Sequence, residues 1–119
     1  MGIRNYRDLE VWKKAMLLTN LVYKATQHFP KEEVFGLSTQ THRSAVSIPS
    51  NIAEGSVRGT KPEFSRFIGI ARGSLAEIET QIMIAKDRKY ITQNHYDEIM
   101  ILTEDISKMR LGLLRSLKT

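Results

Sequence analysis

Apolar residues recur at steps of four and three through Val11, Ala15, Leu18, Val22, Ala25 and Phe29, flanked by Trp12, Met16 and Leu21. Such steps return side chains to one face of a 3.6-residue turn, so the spacing predicts a helix over about 7–29. Phe29-Pro30 ends it, because proline disfavours helical backbone in the residue before it. Pro30 then suits the first turn of a second helix, with Glu32 and Glu33 at its positive end. That helix, predicted over about 31–56, carries Val34, Leu37, Thr41, Ala45, Ile48 and Ile52 and ends at Glu54-Gly55, with Gly59 and Pro62 marking the break.

Thr60-Lys61-Pro62-Glu63 has the form of a capping box, a threonine N-cap followed three residues later by a glutamate. It opens a third helix, about 61–89, with Phe64, Phe67, Ile68, Ala71, Leu75, Ile78, Ile82 and Ala85 on its apolar line. Thr92 caps a fourth, about 93–118, whose line is read as Ile99, Leu102, Ile106, Met109, Leu113 and Leu117. Four amphipathic helices joined by short links predict an all-α chain, an antiparallel up-down-up-down four-helix bundle. At 119 residues the chain suits a single domain, 1–119.

That topology brings 4–14, 54–66 and 110–118 to one end. There Arg4, Arg7, Lys13, Lys14, Arg58, Lys61, Arg66, Arg110, Arg115 and Lys118 face Asp8, Glu10, Glu54 and Glu63, an excess of six positive charges against +5 for the whole chain. With a pI near 9.6, this end is the expected site for an anionic partner.

Cysteine is absent, which excludes disulfides and thiolate chemistry and suits a reducing cytoplasm. The N-terminus lacks the apolar run of a signal peptide, and no segment holds the roughly 18 apolar residues of a membrane span. The protein is expected to be cytoplasmic with no membrane partner. His28, His42 and His95 share no ligand or catalytic spacing, and there is no phosphate loop, paired-histidine zinc motif or serine elbow. Neither a cofactor nor enzymatic activity is expected.

A polar stripe lies one residue off the apolar line of the second helix, through Gln40, Arg43, Ser47, Asn51 and Glu54. A matching stripe on the third runs through Ile70, Ser74, Glu77, Gln81 and Ile84. The two either converge in the groove between the second and third helices or diverge; they are read as a hydrogen-bonded seam that fixes register or as a ligand or partner groove, with Arg43–Glu77 and Glu54–Arg66 as the expected ion pairs. Pro49 lacks the amide that would bond Ala45, so a bend or restart is expected near Ser47–Pro49, with Ser47 serving the loosened backbone and Gly55 forming the exit. Ser65, Gly69, Gly73, Ala76 and Thr80 form a small-residue face on the third helix, read as close approach either within the bundle or between subunits.

Tyr6-Arg7-Asp8-Leu9-Glu10-Val11-Trp12, Phe29-Pro30-Lys31-Glu32-Glu33-Val34-Phe35-Gly36-Leu37, Ser47-Ile48-Pro49-Ser50-Asn51-Ile52-Ala53-Glu54-Gly55 and Gly73-Ser74-Leu75-Ala76-Glu77 occur in this order along the chain. Together they resemble the bacterial four helix bundle proteins, also called 23S rRNA intervening-sequence proteins. The resemblance implies bacterial origin, a left-handed antiparallel bundle and a homo-oligomeric ring, with a pentamer favoured. It also implies kinship with the accessory subunit of diversity-generating retroelements, which binds nucleic acid and a reverse transcriptase. No catalytic residue is implied. Two functions are therefore expected: an oligomer that binds RNA or an RNA-DNA hybrid through basic residues, or a ring-forming adaptor that docks a protein partner such as a reverse transcriptase.

Overall fold

A computed structural model describes residues 5–118. A single 3-10 turn, Tyr6–Asp8, precedes α1 (Glu10–Thr26), and another, Lys31–Glu33, precedes α2 (Leu37–Ser56); α3 (Lys61–Asp87) and α4 (Gln93–Ser116) complete the chain. No strand occurs among the described residues.

Each helix packs beside two others, α1 with α2 and α4, α3 with α2 and α4, and α2 with α3 most closely. Contacts across these pairs run in opposite numerical order. Thr19 reaches the Ala45 carbonyl while Thr26 meets His42, and Ser47 meets Ser74 while Gly55 lies against Phe64 and Phe67. Lys14 approaches Asp105, and Leu9 to Val11 lie beside Met109 to Leu113.

The apolar lines of α1 and α3 are buried in full. On α2 the buried line is Thr41, Ala45, Ile48 and Ile52, whereas Val34 is half exposed and outside the helix. On α4 the buried line is Ile99, Thr103, Ile106 and Arg110, a four-three-four spacing, and Leu102, Met109 and Leu113 pack at its flank. The fourth helix therefore turns slightly from the expected line and carries an arginine on its core side.

Helix bounds depart from expectation at two places. The chain enters α1 at Glu10 instead of residue 7, because Asn5 Oδ1 accepts from the Arg7 amide and holds Tyr6–Asp8 in its own tight turn. After Thr26 the amides of Gln27, His28 and Phe29 bond three residues back, so the last turn tightens. Pro30 starts a 3-10 turn, and α2 begins only at Leu37, whose amide donates to Glu33 Oε1 at 3.0 Å. Glu33 thus caps α2 from outside it. Tyr90 Oη donates to the other carboxylate oxygen at 3.2 Å, and Gly36 leaves the space, since a Cβ there would lie 2.7 Å from Glu33 Oε1.

The third helix starts as its sequence predicts, with Thr60 Oγ1 accepting from the Glu63 amide, and Thr92 caps α4 in the same way. Helix α2 continues through Pro49 without a restart. The Ala45 carbonyl that Pro49 cannot serve accepts instead from Thr19 Oγ1 of α1 at 3.2 Å. Ser47, expected in that role, has its own carbonyl bonded by Asn51 Nδ2 at 2.7 Å. Among the described residues, no helix is long and apolar enough to cross a membrane.

Candidate nucleic-acid interface

Arg7, the start of α1, the α2–α3 turn and the end of α4 lie at one end of the helices, but much of the charge there is internally matched. Lys13 Nζ is 3.2 Å from Glu10, and Lys14 Nζ is 4.0 Å from Asp105, a fifth acid of this end that the sequence does not place there. Arg58 Nε bonds Glu54 at 2.9 Å and its Nη1 is 3.9 Å from Glu63, while Arg66 Nε bonds Glu63 at 3.2 Å. Both guanidiniums lie over the Phe67 ring, so they are held as well as paired. The Arg66 hydrogen bond holds the Glu63 carboxyl below its ordinary value. Lys61 is also engaged. Arg4 lies outside the described residues.

Arg7, Arg115 and Lys118 are different. All three are exposed, and none has a carboxylate within 4.0 Å among the described residues. Arg7 stacks on Tyr6, its guanidinium carbon 4.8 Å from the ring centroid, which pre-orders it without neutralising it. These three cations can meet phosphate with no ion pair to break first.

Arg110 does not belong to that surface. Only 6% of it is exposed, and it faces the cleft between α3 and α4. The spacing Ile99, Thr103, Ile106, Arg110 is helical, and the packing of α4 turns this face to the core and takes the arginine with it. Burial pushes its guanidinium below the ordinary arginine value, and nearby Arg72 pushes it in the same direction.

The polar stripes of α2 and α3 converge. Ser47 Oγ and Ser74 Oγ are 2.7 Å apart, and Asn51 Nδ2 donates to Ser47 Oγ at 2.9 Å. Neither expected ion pair forms: Glu54 turns to Arg58 and Arg66 to Glu63. Arg43 and Glu77 line the same shallow cleft of about 380 Å³, with no bridge between them within 4.0 Å.

Within the bundle the close approach falls on a glycine of α2, not on those of α3. Gly69 and Gly73 have open space where a Cβ would project, so no neighbouring helix approaches them, and Ala76 and Thr80 are exposed too, with Ser65 half-buried. Gly55 is the close-approach glycine, buried in the last turn of α2; a Cβ there would lie 2.7 Å from Phe67 Cβ. The sequence signal for it was present in the two phenylalanines one turn into α3.

At the other end His28 and His95 come within 6.0 Å, ring to ring, although they are far apart in sequence. His42 stacks on Tyr23 at 4.0 Å, and its Nε2 lies 2.7 Å from Thr26 Oγ1. The same hydroxyl lies 3.1 Å from the Tyr23 carbonyl, so Thr26 links the His42 ring to the backbone of α1. Among the described residues, no three or more His, Asp or Glu gather in a metal-holding group. Phe35, 96% exposed beside the half-exposed Val34, is an apolar feature that the periodicity did not single out.

The fold has a solved counterpart. A crystal structure of a protein of unknown function from the S23 ribosomal protein family of Bacteroides thetaiotaomicron superposes with a TM-score of 0.80 at 23% identity, covering 87% of this chain and 97% of that one. Curated proteins give no match. A family model described as 23S rRNA-intervening sequence protein matches residues 7–112, nearly the whole helical region, and the chain belongs to that family.

Proposed function

We propose that this protein is a non-enzymatic, cytoplasmic homo-oligomer that binds nucleic acid, RNA or an RNA-DNA hybrid, through the end carrying both chain termini. The observation that supports it is the trio Arg7, Arg115 and Lys118, exposed at that end without carboxylate partners. The family's description, which links its members to insertions in ribosomal RNA, favours RNA as the polymer. In this reading Arg58, Lys61 and Arg66 shape the end and contribute through partly neutralised pairs. The bundle is taken as left-handed, up-down-up-down, with α2 bent near Pro49.

A second reading is a ring-forming adaptor, a pentamer by preference, that docks a protein partner such as a reverse transcriptase without touching nucleic acid. The open face of α3 at Gly69, Gly73 and Ala76, with Ile70 41% exposed beside it, favours assembly through that helix. The two readings separate by experiment. Binding of a structured RNA, titrated with salt, should give a log-log slope of roughly 0.7 to 0.9 per phosphate neutralised. Reversing Arg7, Arg115 and Lys118 to glutamate should abolish binding with the oligomeric mass by light scattering unchanged. RNA binding that ignores salt, or survives the triple reversal, rejects the first reading.

A further inference from the structure

Arg110 has no partner that explains its burial. No described residue accepts a hydrogen bond from it or lies within ion-pair distance, and its Nε is enclosed and unbonded. A largely buried guanidinium with an unbonded Nε and no counter-charge is costly, whereas a leucine on the same helical line would be free of that cost. The cleft it faces, about 360 Å³ between α3 and α4, is lined by a second arginine, Arg72. Arg72 is near enough to Arg110 for mutual repulsion to count. It too lacks an ion-pair partner. Glu79 lines the cleft as well, but it lies two turns from Arg72, roughly 10 Å along the helix axis, and pairs with neither arginine. Ser107 adds a hydroxyl, and Leu75, Ala76 and Leu111 form the apolar walls.

We infer that Arg110 and Arg72 form a binding site for a phosphate group carrying up to two negative charges, with Arg110 as the buried anchor and Arg72 as the exposed clamp. Two guanidinium forks offer donors on two sides of a tetrahedral oxyanion, and two positive charges match a dianion better than they match one carboxylate. Inorganic phosphate and the terminal phosphate of a nucleic-acid strand share this chemistry. The site stands apart from the exposed cations at the end of the molecule and goes beyond the reading built on them.

The test is a titration of the full-length protein, labelled with nitrogen-15, with inorganic phosphate at pH 7, against sodium chloride at matched ionic strength. The resonance that disappears in Arg110→Met identifies the Arg110 Nε–H. It is expected to shift saturably with phosphate, with a Kd below about 10 mM, and to stay still in chloride. Phosphate should also raise the thermal midpoint by about 3 °C or more, and Arg110→Met should remove that rise. Arg72→Gln, an exposed change that leaves the core intact, should weaken phosphate binding about tenfold and covers the case in which the methionine variant fails to fold. An Arg110 signal that ignores phosphate, or an equal thermal response in wild type and both variants, overturns the site.

Oligonucleotides differing only in a 5′ phosphate or 5′ hydroxyl identify the source. Tighter binding of the phosphorylated strand, lost in Arg72→Gln, assigns it to strand ends. Equal binding with the inorganic phosphate response intact assigns it to free phosphate. Loss of RNA binding on reversing Arg7, Arg115 and Lys118 should leave the phosphate response unchanged, so the two proposals fail separately.

Discussion

Thr19 supports a proline thirty residues away in sequence. Its hydroxyl lies 2.9 Å from the Ala15 carbonyl of its own helix and 3.2 Å from the Ala45 carbonyl, so one proton serves both acceptors. Thr19→Val should destabilise the fold by about 1 kcal/mol in urea unfolding, because it leaves the Ala45 carbonyl short of a donor. In a Pro49→Ala background the backbone amide returns and less than half of that cost should remain; equal costs in both backgrounds would disconnect the two residues. Gly55→Ala should cost about 1 to 3 kcal/mol by overpacking against Phe64 and Phe67, outweighing alanine's better helix propensity. His42 introduces a pH dependence. Burial lowers its folded-state pKa, so between that value and about 6.5 the unfolded chain binds the extra proton. This contribution is therefore fully present above about pH 6.5, is lost as pH falls below it, and levels off beneath the folded value. Urea midpoints at pH 7.5 and 5.5 should diverge less in His42→Asn than in wild type.

At the scale of the element, α3 faces two ways. Its apolar line is buried from Phe64 to Ala85, while Gly69, Gly73 and Ala76 lie open to solvent. Glycine in an exposed helix interior costs roughly 1 kcal/mol relative to alanine. Gly69→Ala with Gly73→Ala should therefore stabilise the fold by up to about 2 kcal/mol if no subunit covers this face. Were α3 to pack against another subunit there, the same pair would reduce the oligomeric mass by light scattering while the helix content rose. The sequence allowed both sources of close approach, and the fold removes the one within the bundle. Helix α2 shows where element bounds escape a sequence reading. Its periodicity gave the core residues from Thr41 to Ile52, but its start depends on Glu33 folding back to Leu37 and on Tyr90 from the α3–α4 turn pinning that carboxylate. A contact from a residue so distant in sequence leaves no local signal.

For the whole molecule, what matters is which charges remain unmatched. Counting residues by topology gave one basic end, and the fold sorts that count into paired, enclosed and free groups. Glu54, Arg58, Glu63 and Arg66 form a connected surface chain, Arg110 withdraws into the α3–α4 cleft, and Arg7, Arg115 and Lys118 remain exposed. Reversal of that trio should accordingly weaken RNA binding far more than reversal of Arg58 and Arg66, whose pairing already offsets part of their charge; filter binding at one fixed salt concentration compares them. The sequence by itself determined four helices, their core lines on α1 and α3, and the caps at Thr60 and Thr92, because periodicity and capping are local properties of the chain. Only the tertiary structure decided which glycine is pressed and which are open, which hydroxyl serves the carbonyl orphaned by Pro49, and which arginine is buried. Each of those depends on the distance between residues on different helices, and that distance is set by packing.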